Sequence, residues 1–284
     1  MRQWMLAASA ALLCVPGAVS AAEPSADELV AKNLAARGGA EALAALKSVK
    51  FDGKLIFPGD FQLTYEEVRA HEPAGDAVRI DAAIQGLTLV QAYDGSNAWR
   101  INPFQGRRDA ERMTGDEARS LADSALLNGV LLSAKADKAQ VSALGREDFD
   151  GTLAYKLKVA QPDGDEFVYL LDPDTFLEIK MTETRRLRGA LQVTEYELGD
   201  YEKVGGVYFP MSIDSWQQGQ SNQRQRVIIA TAEANVAAPA SLFAQPADKP
   251  APAAAQPGDV QPEKKKKETP PDGKTPSASP SKAR

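Results

Sequence analysis

An apolar run opens the chain, Trp4 to Val15 with only small residues interrupting it, and no later segment repeats it. After it, Leu29, Val30 and Leu34 stand at helical spacing, preceded by Ser25 with Glu28 three residues on. That pair is a capping box, in which each side chain accepts the other residue's free backbone N–H. Gly38-Gly39 ends the stripe by allowing positive φ, and Ala40 to Leu46 predicts one further short helix.

From Val49 the period changes to two. Phe61, Leu63 and Tyr65 alternate with Gln62, Thr64 and Glu66, and Leu87 and Leu89 flank Thr88. Tyr155, Leu157 and Val159 alternate with Lys156 and Lys158, and Val207, Phe209, Met211 and Ile213 repeat the pattern late. Such alternation marks antiparallel strands with one buried face. Hairpin chemistry separates the runs: Asp94-Gly95, Asp150-Gly151, Asp163-Gly164, Asp172-Pro173-Asp174 and Gly205-Gly206. Spacings of roughly 8–12 residues predict about ten or eleven strands. The series is interrupted once. Thr114 with Glu117 is a second capping box, and Ala118, Leu121, Ala122, Ala125 and Leu126 keep helical spacing as far as Asn128-Gly129. The uncharged run Val130-Leu131-Leu132 follows. A helix in mid-meander has only the sheet on which to bury its stripe. The pattern therefore predicts a mainly β (α+β) fold.

Beyond Phe243 the pattern stops. Residues 245–284 contain no aromatic and have Val260 as their sole large aliphatic. They cannot bury enough to offset the entropy of ordering, so a disordered tail rich in Pro, Ala and Lys is expected. That leaves one domain, residues 22–244, of about 220 residues.

The opening run has the parts of an export signal: Arg2 ahead of it, a break at Pro16-Gly17, and small Val19 and Ala21 before a cut at Ala22. It is shorter than the ~20 residues a bilayer-spanning helix needs. Residues 1–21 are thus expected to be a cleaved signal peptide, and the mature protein to work in the periplasm. The only cysteine, Cys14, would leave with the signal, and Leu13 before it is not the small residue a lipid anchor requires. Stability would then rest on the core, without disulfides.

Charge narrows the partners. The tail's eight basic against five acidic residues are net +3 and Arg2 adds one, so residues 22–244 hold −10 of an overall −6. An acidic body argues against nucleic acid, which demands a basic stripe. The basic run Lys264–Lys267 could touch an anionic membrane or wall surface, although adjacent acids dilute it.

Catalytic and metal motifs do not emerge. The only histidine, His71, stands between Ala70 and Glu72 at a strand end and reads as an edge residue. No G-x-S-x-G elbow and no P-loop occur. Asp163, Asp165 and Glu166, and Asp172 with Asp174, lie in turns too short for a calcium loop and read as hairpin-closing residues. What remains is apolar and aromatic surface. Trp99, Phe57, Phe104, Phe167, Tyr169, Phe209 and Trp216 lie on or beside strands, together with the Leu126–Leu132 region. Singly each reads as core. As a set they permit a cavity for a greasy ligand.

Residues 89–103 (LVQAYDGSNAWRINP) resemble the strand–DG–W–P hairpin of the LolA/LolB-like outer-membrane lipoprotein-sorting proteins. GREDFDG at 145–151, FVYLLDP at 167–173 and DYEKVGGVYFP at 200–210 continue the series, closing on Ala234-Asn235 and Leu242-Phe243. The resemblance implies a curved antiparallel sheet forming an incomplete barrel, its concave face covered by helices from the 25–46 and 115–128 segments. It also implies carriage or sensing of lipoprotein acyl chains or other lipid, without enzymatic activity and without a metal or cofactor. Transient contact with a membrane or an envelope protein is the further partner it suggests. Trp99, Leu126, Leu131, Tyr155, Phe167 and Phe209 are the expected cavity residues. Two features depart from the family: its cargo-holding arginine has no evident counterpart, and the receptor's lipid anchor is missing. A competing reading is a structural or regulatory protein whose shell is filled by its own side chains and which binds a protein partner. An exported hydrolase has the least support.

Overall fold

Ser25 caps the first helix, α1 (Ala26–Ala36), in a computed structural model that describes residues 23–247. The expected signal segment, residues 1–21, and nearly all of the expected tail lie outside the described residues. Glu28 N–H donates to the Ser25 hydroxyl, and Ser25 N–H donates to the Glu28 carboxylate. The chain turns at Gly38 and resumes as α2 (Gly39–Ala45). Gly38 has φ +124°, and a Cβ there would lie 2.3 Å from the Gly206 carbonyl oxygen, so both conformation and space require glycine. This close approach lets Arg37 and Tyr208 bond reciprocally. The Tyr208 N–H donates to the Arg37 carbonyl at 2.9 Å, and Arg37 Nε donates to the Tyr208 carbonyl at 2.8 Å.

Six strands follow: β1 (Ser48–Phe57), β2 (Phe61–Glu72), β3 (Gly75–Ile84), β4 (Leu87–Tyr93), β5 (Ala98–Asn102) and β6 (Arg107–Arg112). The chain then leaves the sheet for α3 (Gly115–Ala125) and α4 (Gly129–Ser133). It returns for β7 (Gln140–Phe149), β8 (Thr152–Ala160), β9 (Glu166–Leu171), β10 (Glu178–Leu187), β11 (Ala190–Val204), β12 (Val207–Gln217) and β13 (Gln225–Ala234). In space the order is β6-β5-β4-β3-β2-β1-β13-β12-β11-β10-β9-β8-β7, one open antiparallel sheet of 13 strands. Two meanders are joined where the first strand pairs with the last, Val49 opposite Ala234 and Phe51 opposite Ala232.

Thirteen strands exceed the expected ten or eleven. The edge strands show why a pattern of buried alternation undercounts: β6 reads RRDAER, and β7 is exposed at nearly every position. Neither has a buried face to impose a period of two. Charge on both, and a register shift between Ala143 and Arg146 of β7, guard these edges against strand addition.

The α3–α4 segment joins the two edge strands, so it must cross the mouth of the curved sheet. Its capping box forms as expected, with Glu117 N–H donating to Thr114 Oγ1. The helix ends at Ala125 instead of continuing to Asn128. The Leu127 N–H donates to Asp76 Oδ2 at 3.2 Å instead of to a helical carbonyl, and α4 starts afresh at Gly129. The other Asp76 oxygen holds His71 Nδ1 at 2.5 Å, so the histidine serves to anchor this loop. Leu121 and Ala125 of α3 pack on Val78 of β3 and Ala98 of β5. Leu131 of α4 and Leu29 of α1 pack on Leu157, Phe167 and Leu171. Among the described residues, no helix is long and apolar enough to cross a membrane.

The convex side has a core of its own over β2 and β3. After β13 the chain folds back, and Phe243, fully buried, packs with Val68, Ala70 and Ala77.

Candidate functional site

Beneath α3 and α4 the concave face leaves a cavity of about 330 Å³. That lies at the lower end of the range for ligand pockets. Its apolar walls include Phe51, Leu126, Leu131, Phe167, Phe209 and Ile229. Its floor is polar, which the apolar pattern did not indicate.

Three tyrosine–glutamate–arginine groups make that floor. On β2, Tyr65 Oη and Arg69 Nε both donate to the Glu67 carboxylate. The Glu178 carboxylate at the start of β10 accepts from Arg37 Nη1 at 3.2 Å, and Tyr201 Oη donates to the Glu178 carbonyl at 2.8 Å with the carboxylate 3.3 Å away. Further along β10, Glu183 pairs with Arg185 and accepts from Tyr196 Oη at 3.1 Å. Burial first, and then the facing carboxylate, pushes the phenols of Tyr65, Tyr196 and Tyr201 up, so each stays a neutral donor. A buried charge needs a partner, and here every glutamate has a cation and a hydroxyl. The β2 group was readable in principle. Tyr65, Glu67 and Arg69 continue the inward period of two begun at Leu63. Glu178 and Arg37 lie 141 residues apart and give no local signal.

A fourth cluster ties α3 to the far lip of the sheet. Asp123 accepts from Arg185 Nη2 at 3.0 Å, and Asp165 lies 3.3 Å from Arg185 Nη1. Arg119 sits 3.6 Å from both Asp163 and Asp165. Arg119 also pairs with Asp116 at 3.2 Å, so five carboxylates, counting Glu183, share two guanidinium groups. Burial pushes the Asp123 carboxyl up to about 6 from an ordinary 3.8; Arg185 opposes the shift, and Glu183 and Asp163 add to it. The folded state therefore holds this proton more tightly than the unfolded chain. The stability it contributes falls as pH rises from about 4 to about 6, by on the order of 3 kcal/mol, and is level above. Urea titrations of the native chain and Asp123→Asn should show a stability difference with that slope. A difference independent of pH across the window would contradict it.

Four of the six expected cavity residues, Leu126, Leu131, Phe167 and Phe209, line this one space. Trp99 is elsewhere. It is 1% exposed on the convex side, where Nε1 donates to the Phe243 carbonyl at 2.7 Å and Arg79 lies against the ring. The returning C-terminal segment gives that face its own apolar cover, which reverses the side an aromatic there is expected to point. Tyr155 keeps the concave parity but stands outside the cavity wall. It stacks on Phe176 at 5.7 Å and accepts from Arg146 Nη2 at 3.0 Å. Trp216 is covered by Arg224, and Phe104 is exposed. In the acidic turns, backbone amides take the oxygens. Asp172 Oδ1 accepts from Asp174 and Thr175, and Asp163 Oδ1 from Asp165.

An open antiparallel sheet with helices across its hollow is the LolA-like fold, and solved structures share it. A domain from Vibrio parahaemolyticus assigned to outer-membrane lipoprotein sorting aligns over 75% of this chain and 97% of its own, with TM-score 0.52 and 12% identity. A DUF1329 family protein from Desulfovibrio piger aligns over 77% and 97%, with TM-score 0.56 and 11% identity. A LolA superfamily protein from Nitrosomonas europaea aligns over 78% and 98%, with TM-score 0.51 and 13% identity. No protein-family profile matches the chain, and no curated protein matches it in sequence. The LolA-like resemblance read from the hairpins therefore holds as a likeness of fold.

Proposed function

We propose that residues 22–244 form a periplasmic, non-enzymatic carrier or sensor that holds the acyl part of a lipid or lipoprotein in the concave cavity, with residues 1–21 as its export signal. The observation that carries this reading is the space left unfilled beneath α3 and α4, walled by Leu126, Leu131, Phe167 and Phe209. A shell filled by its own side chains would leave no such space. The name of the Vibrio parahaemolyticus domain, which links it to lipoprotein sorting, supports an acylated cargo. Every 100 Å² of apolar tail removed from water would contribute about 2.5 kcal/mol. The strap over the cavity supplies a part whose movement would admit and release the cargo.

Two measurements test the reading. Native mass spectrometry of the exported protein should find co-purifying lipid. An uncharged solvatochromic dye such as Nile red should be taken up by the native chain, and uptake should fall at least about tenfold in Leu131→Glu, which puts an unpaired charge in the wall. Leu144→Glu, at an exposed position of β7, is the control and should bind normally. A lipid-free protein that takes up no dye would sink the proposal.

A further inference from the structure

We infer that the cavity admits amphiphiles whose polar end is uncharged and oxygen-bearing, and disfavours anionic ones of equal chain length. The inference rests on the cavity being a ligand site, as proposed above. A pure hydrocarbon would cover the floor's polar groups without bonding to them, which is costly. The occupant therefore needs polar atoms of its own.

The charges around the cavity decide which kind. Arg37, Arg69 and Arg185 face it, and so do Glu67, Glu178, Glu183 and Asp123. Each arginine is already committed to a glutamate. An incoming carboxylate or phosphate would meet no uncompensated positive charge. It would also have to shed its water beside four carboxyl groups, and neighbouring like charges in a partly dry site repel strongly.

Hydrogen-bond donors, by contrast, remain. Arg69 uses Nε for Glu67, and its two terminal nitrogens have no protein partner among the described residues. Arg37 uses Nε for the Tyr208 carbonyl and Nη1 for Glu178, which leaves Nη2. A carbonyl or hydroxyl oxygen can accept from such donors without bringing a charge that must be neutralised. Beside Arg69 the Phe51 ring lies 5.8 Å from the guanidinium carbon, so the apolar wall begins where the donors end. A neutral acyl glyceride or a comparable ester satisfies both halves, and a free fatty acid does not.

The test compares two ligands that share a chain. Nile red bound to the exported protein at pH 8 is displaced by 1-monolauroylglycerol or by laurate, both below their micellar concentrations. The glyceride should displace the dye at about a tenfold lower concentration. Glu67→Gln keeps an acceptor for Tyr65 and Arg69 but removes the compensating charge, so it should strengthen laurate binding about tenfold and leave the glyceride little changed. Should that variant fail to fold, Glu178→Gln does the same for Arg37. Laurate binding to the native chain as tightly as the glyceride would overturn the inference while leaving the cavity reading intact. So would a folded Glu→Gln variant that gains nothing for laurate. If neither the dye nor either lipid binds, the cavity reading fails and this inference falls with it.

Discussion

Replacing Arg185 by alanine should lower the stability of the protein by about 3–5 kcal/mol, the range expected when one partner of a buried ion pair is removed. The side chain is 4% exposed and serves Glu183, Asp165 and Asp123 together. Its loss would leave three carboxyl groups in a poorly solvated place with only Arg119 nearby. Urea denaturation reads the effect directly. Arg188→Ala is the contrast. Arg188 also meets α3, through Glu117 at 2.9 Å, but its side chain is 70% exposed, and its removal should cost about 1 kcal/mol or less. A cost below about 1 kcal/mol for Arg185→Ala would mean that water reaches the cluster and that the strap is not clamped there.

Trp99→Ala should be comparably damaging, at about 3–5 kcal/mol, yet should leave dye uptake per folded molecule unchanged. The ring packs with Val90 and Ala92 under Arg79, and its N–H is bonded to the Phe243 carbonyl. Truncation opens a void and leaves that carbonyl without its donor, both on the convex side. Thermal melts and the Nile red titration, run on the same sample, separate the two quantities. Loss of uptake by protein that remains folded would place Trp99 back on the cavity.

These two residues also show what can be read along a chain and what cannot. The capping boxes Ser25–Glu28 and Thr114–Glu117 span three residues each, and both form. The turns at Asp150-Gly151 and Gly205-Gly206 are equally local, and each of these residues adopts positive φ. Strand parity is another matter. Alternation alone does not say which face of a strand turns inward, and a one-residue slip reverses it. Phe167 and Phe209 fall beneath the helices, whereas Trp99 falls on the other face, where its cover comes from a segment 144 residues later. The polar floor differs again. Apolar alternation ends at Tyr65, although the same face continues to Glu67 and Arg69. A charged residue in phase with buried neighbours signals a partner or a ligand, and it can be found without a structure. The pairings of Glu178 with Arg37 and of Asp123 with Arg185 have no such signal, since only the folded sheet brings them together.

The order of strands has one more consequence. Because α3 and α4 run from one free edge of the sheet to the other, the cover over the hollow is held at both ends, like the handle of a bucket. It cannot swing aside as a door does. It rises only as far as its connections to β6 and β7 extend, or else the two rims separate by flexing about the β1–β13 seam, which acts as the spine of an open book. Entry to the hollow is thus coupled to the spread of the whole sheet, and anything that grips both rims at once would keep it shut.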